Sequence, residues 1–530
     1  MTGITRRNLG QLLAGGGAAL ALPGAVRAQN RKGVLVIGLD ISDTVTLDPA
    51  RQSNYSPPLT LAAAYDTLVT MGPPDYLDLQ PCLATKWVRT PDGKGWRFTL
   101  RDGVKFNSGA EMTADDVKWS FDRVIGVKDQ PVQYVLNIDS VAVVDPKTID
   151  ILLKDPAEPI LTILCAPAFI VYERKVVEEH GGKAGPTAGT EDKATEWLNT
   201  HSAGTGPYTI SGWARNSQIQ LVANPHSWRG APAFQRIIIR HIPESAAQLL
   251  AVQRGDVDAA FNLIPEQIKS LAGDAKLRVE GLTSLDFVYL AVTQNGALNP
   301  ALAHKEARQA IGWAVDYDGI RDSLLGGKAV RPASFLPIGM SGSTEAIAKE
   351  IGFHQDLAKA KELLAKAGLA DGFEFELSYG QAAIAGISYQ TLAQKLQADL
   401  ARVGIRAKLN PMDQVNMRTQ YLGAKAQGAL TFWNPPAVEN ELWAGASTQR
   451  VAKRVGWVPP PSILALVTRA ASETDPAKQA ALWVEYQKLM LDEADLIVLF
   501  QPVYQVAVSQ TVKKFPLTAA GWLADLGAAG

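Results

Sequence analysis

The chain has 530 residues, with 52 Lys and Arg against 53 Asp and Glu. So even a balance, with no basic tract, argues against nucleic acid or an anionic membrane surface as a partner. Hydrophobic residues at 47% and charged residues at 20% describe an ordinary globular protein, and the length exceeds one compact core, so two or more domains are expected.

Arg6-Arg7 precede an apolar run from about Leu9 to Leu22, and Val26-Arg27-Ala28 gives a small-x-small ending before Gln29. That order of charged, apolar and cleavage regions is an export signal, expected to be removed after Ala28. The run is shorter than the roughly 20 apolar residues of a membrane span. Thr5-Arg6-Arg7-Asn8-Leu9 also resembles a twin-arginine signal, which implies export of a folded chain. Gly10 and Gln11 depart from that pattern, and a Sec signal with two basic residues is the alternative. No cysteine follows the cleavage site, so no lipid anchor is expected, and no later apolar run reaches membrane-span length. A soluble periplasmic protein is the expectation. In such an oxidising compartment Cys82 and Cys165 could pair, or remain two buried thiols.

Along the chain, VLVIGL at residues 34–39 has the length and composition of a buried strand. LTLAAAYDTLVTM at residues 59–71 puts Leu61, Ala64, Tyr65 and Leu68 at helical spacing. Trp96, Phe98 and Leu100 alternate as a half-buried strand, Asp102-Gly103 signals a turn, and Val104 and Phe106 resume a period of two. Thr113 and Asp116 then cap a helix whose apolar face is Val117, Phe121 and Val124. Residues 181–190, GGKAGPTAGT, read as an exposed loop. GTGPYTISGW at residues 204–213 begins a strand pair that continues into residues 218–222, and RIIIRHI at residues 236–242 is another buried strand. Asp356 caps a helix through Leu357, Ala360, Leu364 and Ala367, stopped by Gly368. The alternation of Phe373, Phe375, Leu377 and Tyr379 is a strand. Leu392, Leu396, Leu400 and Val403 form a helix stripe closed by Gly404, and Ile405, Ala407 and Leu409 resume a strand. Strand, helix and strand imply a right-handed βαβ unit in a largely parallel sheet. Asp475-Pro476 starts a helix carrying Leu482, Tyr486 and Leu489, and LIVLF follows at residues 496–500.

A secreted hydrolase is the natural rival for an exported chain of this size. GMSGS at residues 339–343 lacks the last glycine of a nucleophile elbow. Gly327-Lys328 has Asp322 where a phosphate loop needs its first glycine, and Gly204-Thr205-Gly206 fails the dinucleotide pattern. The six histidines, His180, His201, His226, His241, His304 and His354, have no metal-ligand spacing. Adjacent carboxylates such as Asp115-Asp116 and Glu178-Glu179 read as solvated surface. No catalytic residue, metal or cofactor is expected.

The stretch WRFTLRDGVKFNSGAEMTADDVKWSFDRV at residues 96–124 closely resembles the signature of the bacterial extracellular solute-binding proteins of family 5. Further landmarks run in the family's order: YDTLV at residues 65–69, LATKW at 83–87, GTGPY at 204–208, NPHSWRG at 224–230 and LLAVQRGDVDAAF at 249–261. ARQAIGWAVD at 307–316, AKELLAKAGL at 360–369 and LQADLARVGI at 396–405 complete the set. The resemblance implies an α/β, two-lobed periplasmic-binding-protein (Venus-flytrap) fold with an additional subdomain in the N-terminal lobe. The expected division is an export signal at residues 1–28, lobe I at 29–283 with the subdomain at about 76–203, lobe II at 284–500, and a return to lobe I at 501–530. The crossings are expected in SLDFVYLAV at residues 284–292 and LIVLFQPVYQVAV at 496–508.

By the same resemblance, the chain is the substrate-binding component of an ABC importer. It would capture a peptide or peptide-like solute and deliver it, as a monomer, to permease subunits at the inner membrane. The alternatives are a non-peptide solute (opine, glycoside or metal chelate), an exported hydrolase, or a receptor or chaperone of the same fold. Three regions are expected at the ligand. Asn54, Tyr55 and Ser56 precede the YDTLV helix. Arg331, in a Pro-rich loop, could meet a carboxylate. Phe432, Trp433, Asn434, Glu439 and Trp443 lie in TFWNPPAVENELW, a segment suited to a rigid stacking wall. Dipeptide binders carry an aspartate there for the peptide ammonium group. This chain has Asn434, with Glu439 as the nearest acid, so a charge-assisted bond of about 1.5–3 kcal/mol is lost unless Glu439 supplies it.

Overall fold

A computed structural model describes residues 33–52, 54–72, 78–156, 160–433, 438–519 and 523–530. Arg6 and Arg7, with the whole export signal, lie outside the described residues, as does Asn434.

The backbone of the fold is a twelve-stranded mixed sheet. At one end Val34–Leu39 runs parallel to Arg236–His241, which is followed outward by Gln218–Ala223 and Tyr208–Ala214 in antiparallel order. At the other end Glu374–Gly380 lies between Arg406–Met412 and Gly428–Trp433, parallel to both. The expected βαβ unit is therefore present, its helix being Tyr389–Ala401. The helices Leu357–Lys366 and Pro476–Glu493 have the caps the sequence supplies: Asp356 accepts from the Lys359 amide at 2.9 Å and Asp475 accepts from the Ala477 and Lys478 amides.

One strand, Leu496–Ser509, belongs to both ends. Its first part pairs with Phe287–Val292 and its second with Leu277–Thr283. Between those two partners the chain passes through Ser284, Leu285 and Asp286. Phe287–Val292 is buried on both faces, and its alternation sorts side chains into two cores. Val288, Leu290 and Val292 join Ile311, Leu364 and Leu396, while Phe287, Tyr289 and Ala291 join Phe335, Trp443 and Trp483.

A separate four-stranded antiparallel sheet comprises Ala84–Arg89, Gly95–Leu100, Thr148–Leu153 and Ile138–Asp145. The helix Ala114–Val127 covers it, with Phe98, Phe121, Ile149 and Phe169 at the centre of the core. The Thr113 amide donates to Asp116 at 2.9 Å, as a capped N-terminus should. From the opposite face Arg123 reaches Asp48 through two bonds of 2.8 and 2.7 Å and Asp192 through two of 2.9 Å, with all three side chains fully buried. This ion cluster fastens the small sheet's helix to the loop after the first strand. Asp48, which would lose its charge by burial alone, is held below the usual carboxylate range by Arg123.

Two local expectations are corrected. The helix over residues 59–71 is Pro57–Ala64 only, and Val69–Gly72 is already a strand. Gly206 donates to the Ala64 carbonyl at 3.2 Å, and a Cβ at Gly204 or Gly206 would collide with Ala64 and Tyr65, so this close crossing ends the helix. Asp66 is drawn to Thr205, Trp228 and Arg229 instead. Val104 and Phe106 are core residues, but their segment is an isolated bridge between Lys105 and Glu111. The two cysteines are free thiols, Cys82 lying buried beside Asp66 and Arg229.

Candidate functional site

Trp433 ends the strand Gly428–Trp433, in register with Phe287 and so one residue from the crossing at Asp286. Its half-buried ring packs 5.5 Å from Phe335, which meets Phe287 and Tyr289 edge-on at 4.8 and 5.1 Å. The core thus holds one edge of the indole. Over the ring stand two guanidinium groups, Arg450 at 5.2 Å and Arg454 at 5.7 Å, and Arg454 also lies 5.3 Å over Tyr421. Arg450 is exposed and Arg454 half-buried. Among the described residues neither guanidinium is in an ion pair with a carboxylate. Partial burial, and then Arg454, push the pKa of Arg450 down.

Glu439 has the complementary character. Burial pushes its carboxyl above the usual range, opposed by the hydroxyl of Thr162. Among the described residues no Lys or Arg pairs with it. Thr162 comes from the segment that follows the small sheet, and Tyr134, on the short helix Val132–Val135, lies within electrostatic reach of Arg450. Groups from the small-sheet side and from the Trp433 side therefore face one another.

A third cluster sits where the chain crosses. The Tyr504 hydroxyl donates to Asp286 at 2.5 Å, and Tyr55 approaches the same hydroxyl. Burial raises the Asp286 carboxyl to about 7. Gln501 bolts the crossing by donating to the carbonyls of Ser284 and Ile338 while accepting from the Ile338 amide at 2.7 Å. Tyr55 is placed by Asp43, whose carboxylate accepts from the Tyr55 and Ser56 amides and the Ser56 hydroxyl, and Asn54 donates to the Asp43 carbonyl at 2.7 Å.

The residues expected at the ligand thus separate into groups. Trp433 comes together with Arg450 and Arg454, Glu439 lies against Thr162, and Tyr55 joins the crossing. Phe432 is 41% exposed, on the strand face opposite to Trp433. Trp443 is 0% exposed, inside the core around Trp483. Arg331 lies apart, stacked 4.4 Å over Tyr317. Sequence reasoning missed Arg450, Arg454, Tyr134 and Thr162. Among the described residues no three His, Cys, Asp or Glu side chains converge as a metal site, and no helix is long and apolar enough to cross a membrane.

Residues 78–445 match the family described as bacterial extracellular solute-binding proteins, family 5 Middle. The chain belongs to this family. It is 28% identical to the probable D,D-dipeptide-binding periplasmic protein DdpA of Escherichia coli (strain K12), over 91% of each chain. It is 26% identical to the glutathione-binding protein GsiB of Salmonella typhi, over 86% of this chain and 87% of that one. Among solved structures, the dipeptide binding protein from Pseudoalteromonas sp. SM9913 in complex with Met-Leu superposes with a TM-score of 0.77 at 21% identity, covering 94% of this chain and 99% of that one. The fold is the two-lobed one of these binding proteins, with the small sheet as an additional subdomain.

Proposed function

We propose that this protein is the periplasmic, non-enzymatic solute-binding component of an ABC importer, and that it encloses a peptide or peptide-like solute between its lobes. The observations that support this reading are Trp433, held on one edge by Phe335 with its ring half-buried, and Glu439, buried against Thr162 with no Lys or Arg paired to it among the described residues. A solute ammonium group takes Glu439, in place of the aspartate of the dipeptide binders, while Trp433 supplies a flat apolar wall. Tyr55, flanked by Asn54 and Ser56, faces the site from the other lobe, whereas Phe432 on the opposite strand face, Trp443 inside the core and Arg331 over Tyr317 are left out of the contact set. The names of the relatives support a peptide-like solute.

Lobe I then comprises residues 29–283 and 501–530, with the subdomain at about 76–203, and lobe II residues 284–500. The strand pairings around Ser284 and Gln501 support this division. Contacts from both lobes stabilise a closed form, which the permease recognises as loaded monomer. Residues 1–28 direct export by the twin-arginine route.

Calorimetric titration with a panel of dipeptides tests the reading. Binding by the wild type, with at least a tenfold loss in Glu439→Gln, is expected. Retained affinity in Glu439→Gln, or preference for N-acetylated over free-amine peptides, contradicts it.

A further inference from the structure

On the face of the large sheet away from Trp433 lies a cavity of about 790 Å³, a volume in the range of small-molecule sites. Tyr317, Ala329 and Leu499 at its walls belong to the core around Ile311 and Leu364, whereas Phe335 and Trp433 belong to the core on the sheet's other face. Neither Trp433 nor Glu439 lines it. The Tyr317 ring is a fixed shelf at its wall: the side chain is buried and its hydroxyl donates to the Gly312 carbonyl at 2.9 Å. On that shelf Arg331 rests 4.4 Å over the ring, with Nη1 beside Gly352, where a Cβ would come within 3.3 Å of it. Arg331 is half-buried, yet among the described residues its guanidinium has neither a hydrogen bond nor an ion pair. Burial pushes its pKa down. Arg101 and Arg215 also lack carboxylate partners, but Arg101 donates to the Cys82 carbonyl at 3.0 Å and Arg215 is exposed beside Trp213. The carboxylates around the cavity are engaged elsewhere or stand clear of it. Asp316 accepts from Lys395 at 2.9 Å, Asp318 meets Arg321 at 2.9 Å, and Glu345 is exposed at the start of the helix Glu345–Ile351. Lys349, on the same helix, adds a second cation that has no ion pair among the described residues.

We propose that this cavity is a second binding site, separate from the solute site, for a small organic anion carrying one carboxylate on an apolar body. Stacking on Tyr317 leaves the edge of the guanidinium, and not its face, for the anion, which suits a planar partner. A carboxylate there accepts two parallel hydrogen bonds from Arg331, and Lys349 adds charge at the rim. The cost of holding a half-buried cation without a partner is offset when the anion arrives. The apolar body lies against Val330 and Ala346. Because the site is on the far face of the sheet, its ligand does not compete with the solute, and the proposal does not rest on the peptide-like reading.

Hexanoate and benzoate are the probes, each paired with its uncharged amide, and inorganic phosphate is the competing anion. Ligand-observed NMR titrations are run on the wild type and on Arg331→Gln, Ala346→Trp and Trp433→Ala, and unliganded melts establish that each variant folds. The wild type is expected to bind at least one of the carboxylates with a Kd of about 1 mM or tighter, and its amide about tenfold more weakly or less. Arg331→Gln weakens that carboxylate by about tenfold or more. Ala346→Trp, which fills the cavity and keeps the arginine, abolishes its binding, and Trp433→Ala leaves it unchanged. If Arg331→Gln fails to fold, the amide comparison and Ala346→Trp decide alone. Equal binding of a carboxylate and its amide, or carboxylate binding that survives in Arg331→Gln or in Ala346→Trp, overturns the site. Loss of binding in Trp433→Ala puts the probe in the solute site and overturns it as well. Phosphate bound more tightly than either carboxylate overturns the ligand class, and no binding of either carboxylate at about 50 mM overturns the proposal outright.

Discussion

Replacing Asp286 by Asn removes a buried ionisable group where the chain passes from the strand Leu277–Thr283 to the strand Phe287–Val292. Asp286 is fully buried, one carboxyl oxygen accepts from Tyr504, and burial raises its pKa to about 7. In the unfolded chain the same carboxyl titrates near ~3.9. The folded state therefore holds the proton more tightly, so this residue's contribution to stability is full below about pH 4 and is lost as pH rises through about 7. Between pH 5 and pH 8 the loss amounts to about 2.5 kcal/mol for this one group. Asn keeps the acceptor for the Tyr504 hydroxyl and cannot ionise. Asp495, also buried and raised to about 7, contributes a second loss of the same sign and similar size that the substitution leaves intact. Urea unfolding of wild type and Asp286→Asn at pH 5 and pH 8 reads the difference directly. Relative to the wild type, the variant gains about 2.5 kcal/mol on going from pH 5 to pH 8. If the two proteins lose stability in parallel over that interval, Asp286 is already ionised at pH 5 and the desolvation argument is refuted.

On the proposed reading the half-buried Trp433 walls the solute site, so Trp433→Ala weakens solute binding by about 1.5–3 kcal/mol in calorimetry. Its unliganded melting temperature changes little; a large drop in stability with normal affinity would assign the ring to packing instead. Arg123→Met leaves the Asp48 and Asp192 carboxylates buried without their cation and destabilises the protein by about 3–5 kcal/mol, measured by urea unfolding. Lys at both Arg6 and Arg7 abolishes periplasmic accumulation, followed by cell fractionation, whereas unchanged yield assigns the signal to the Sec route; N-terminal sequencing of the exported wild type begins at Gln29.

What was legible in the sequence was local. Alternation at Phe373–Tyr379 and the caps Asp356 and Asp475 act within a few residues, and the corresponding strand and helices form there. The end of the Pro57–Ala64 helix was not legible, because glycines about 140 positions further on decide it by close approach. Trp433 and Glu439 lie in the segment that the sequence singles out, whereas Arg450 and Arg454 follow it and were not singled out. A signal was present there: two arginines at helical spacing, shortly after an aromatic segment, with no acid three or four residues away. Tyr134 and Thr162 carried none, since only the fold brings Tyr134 within reach of Arg450 and Thr162 against Glu439.

Native mass spectrometry of the periplasmic protein, purified without refolding, tests solute capture between the lobes most directly. The account predicts one copy of a peptide-like solute of a few hundred daltons per chain, retained by the wild type and lost from Trp433→Ala and Glu439→Gln. A chain that is bare as isolated, and whose mass and melting temperature are both unmoved by millimolar di- and tripeptides, would contradict it.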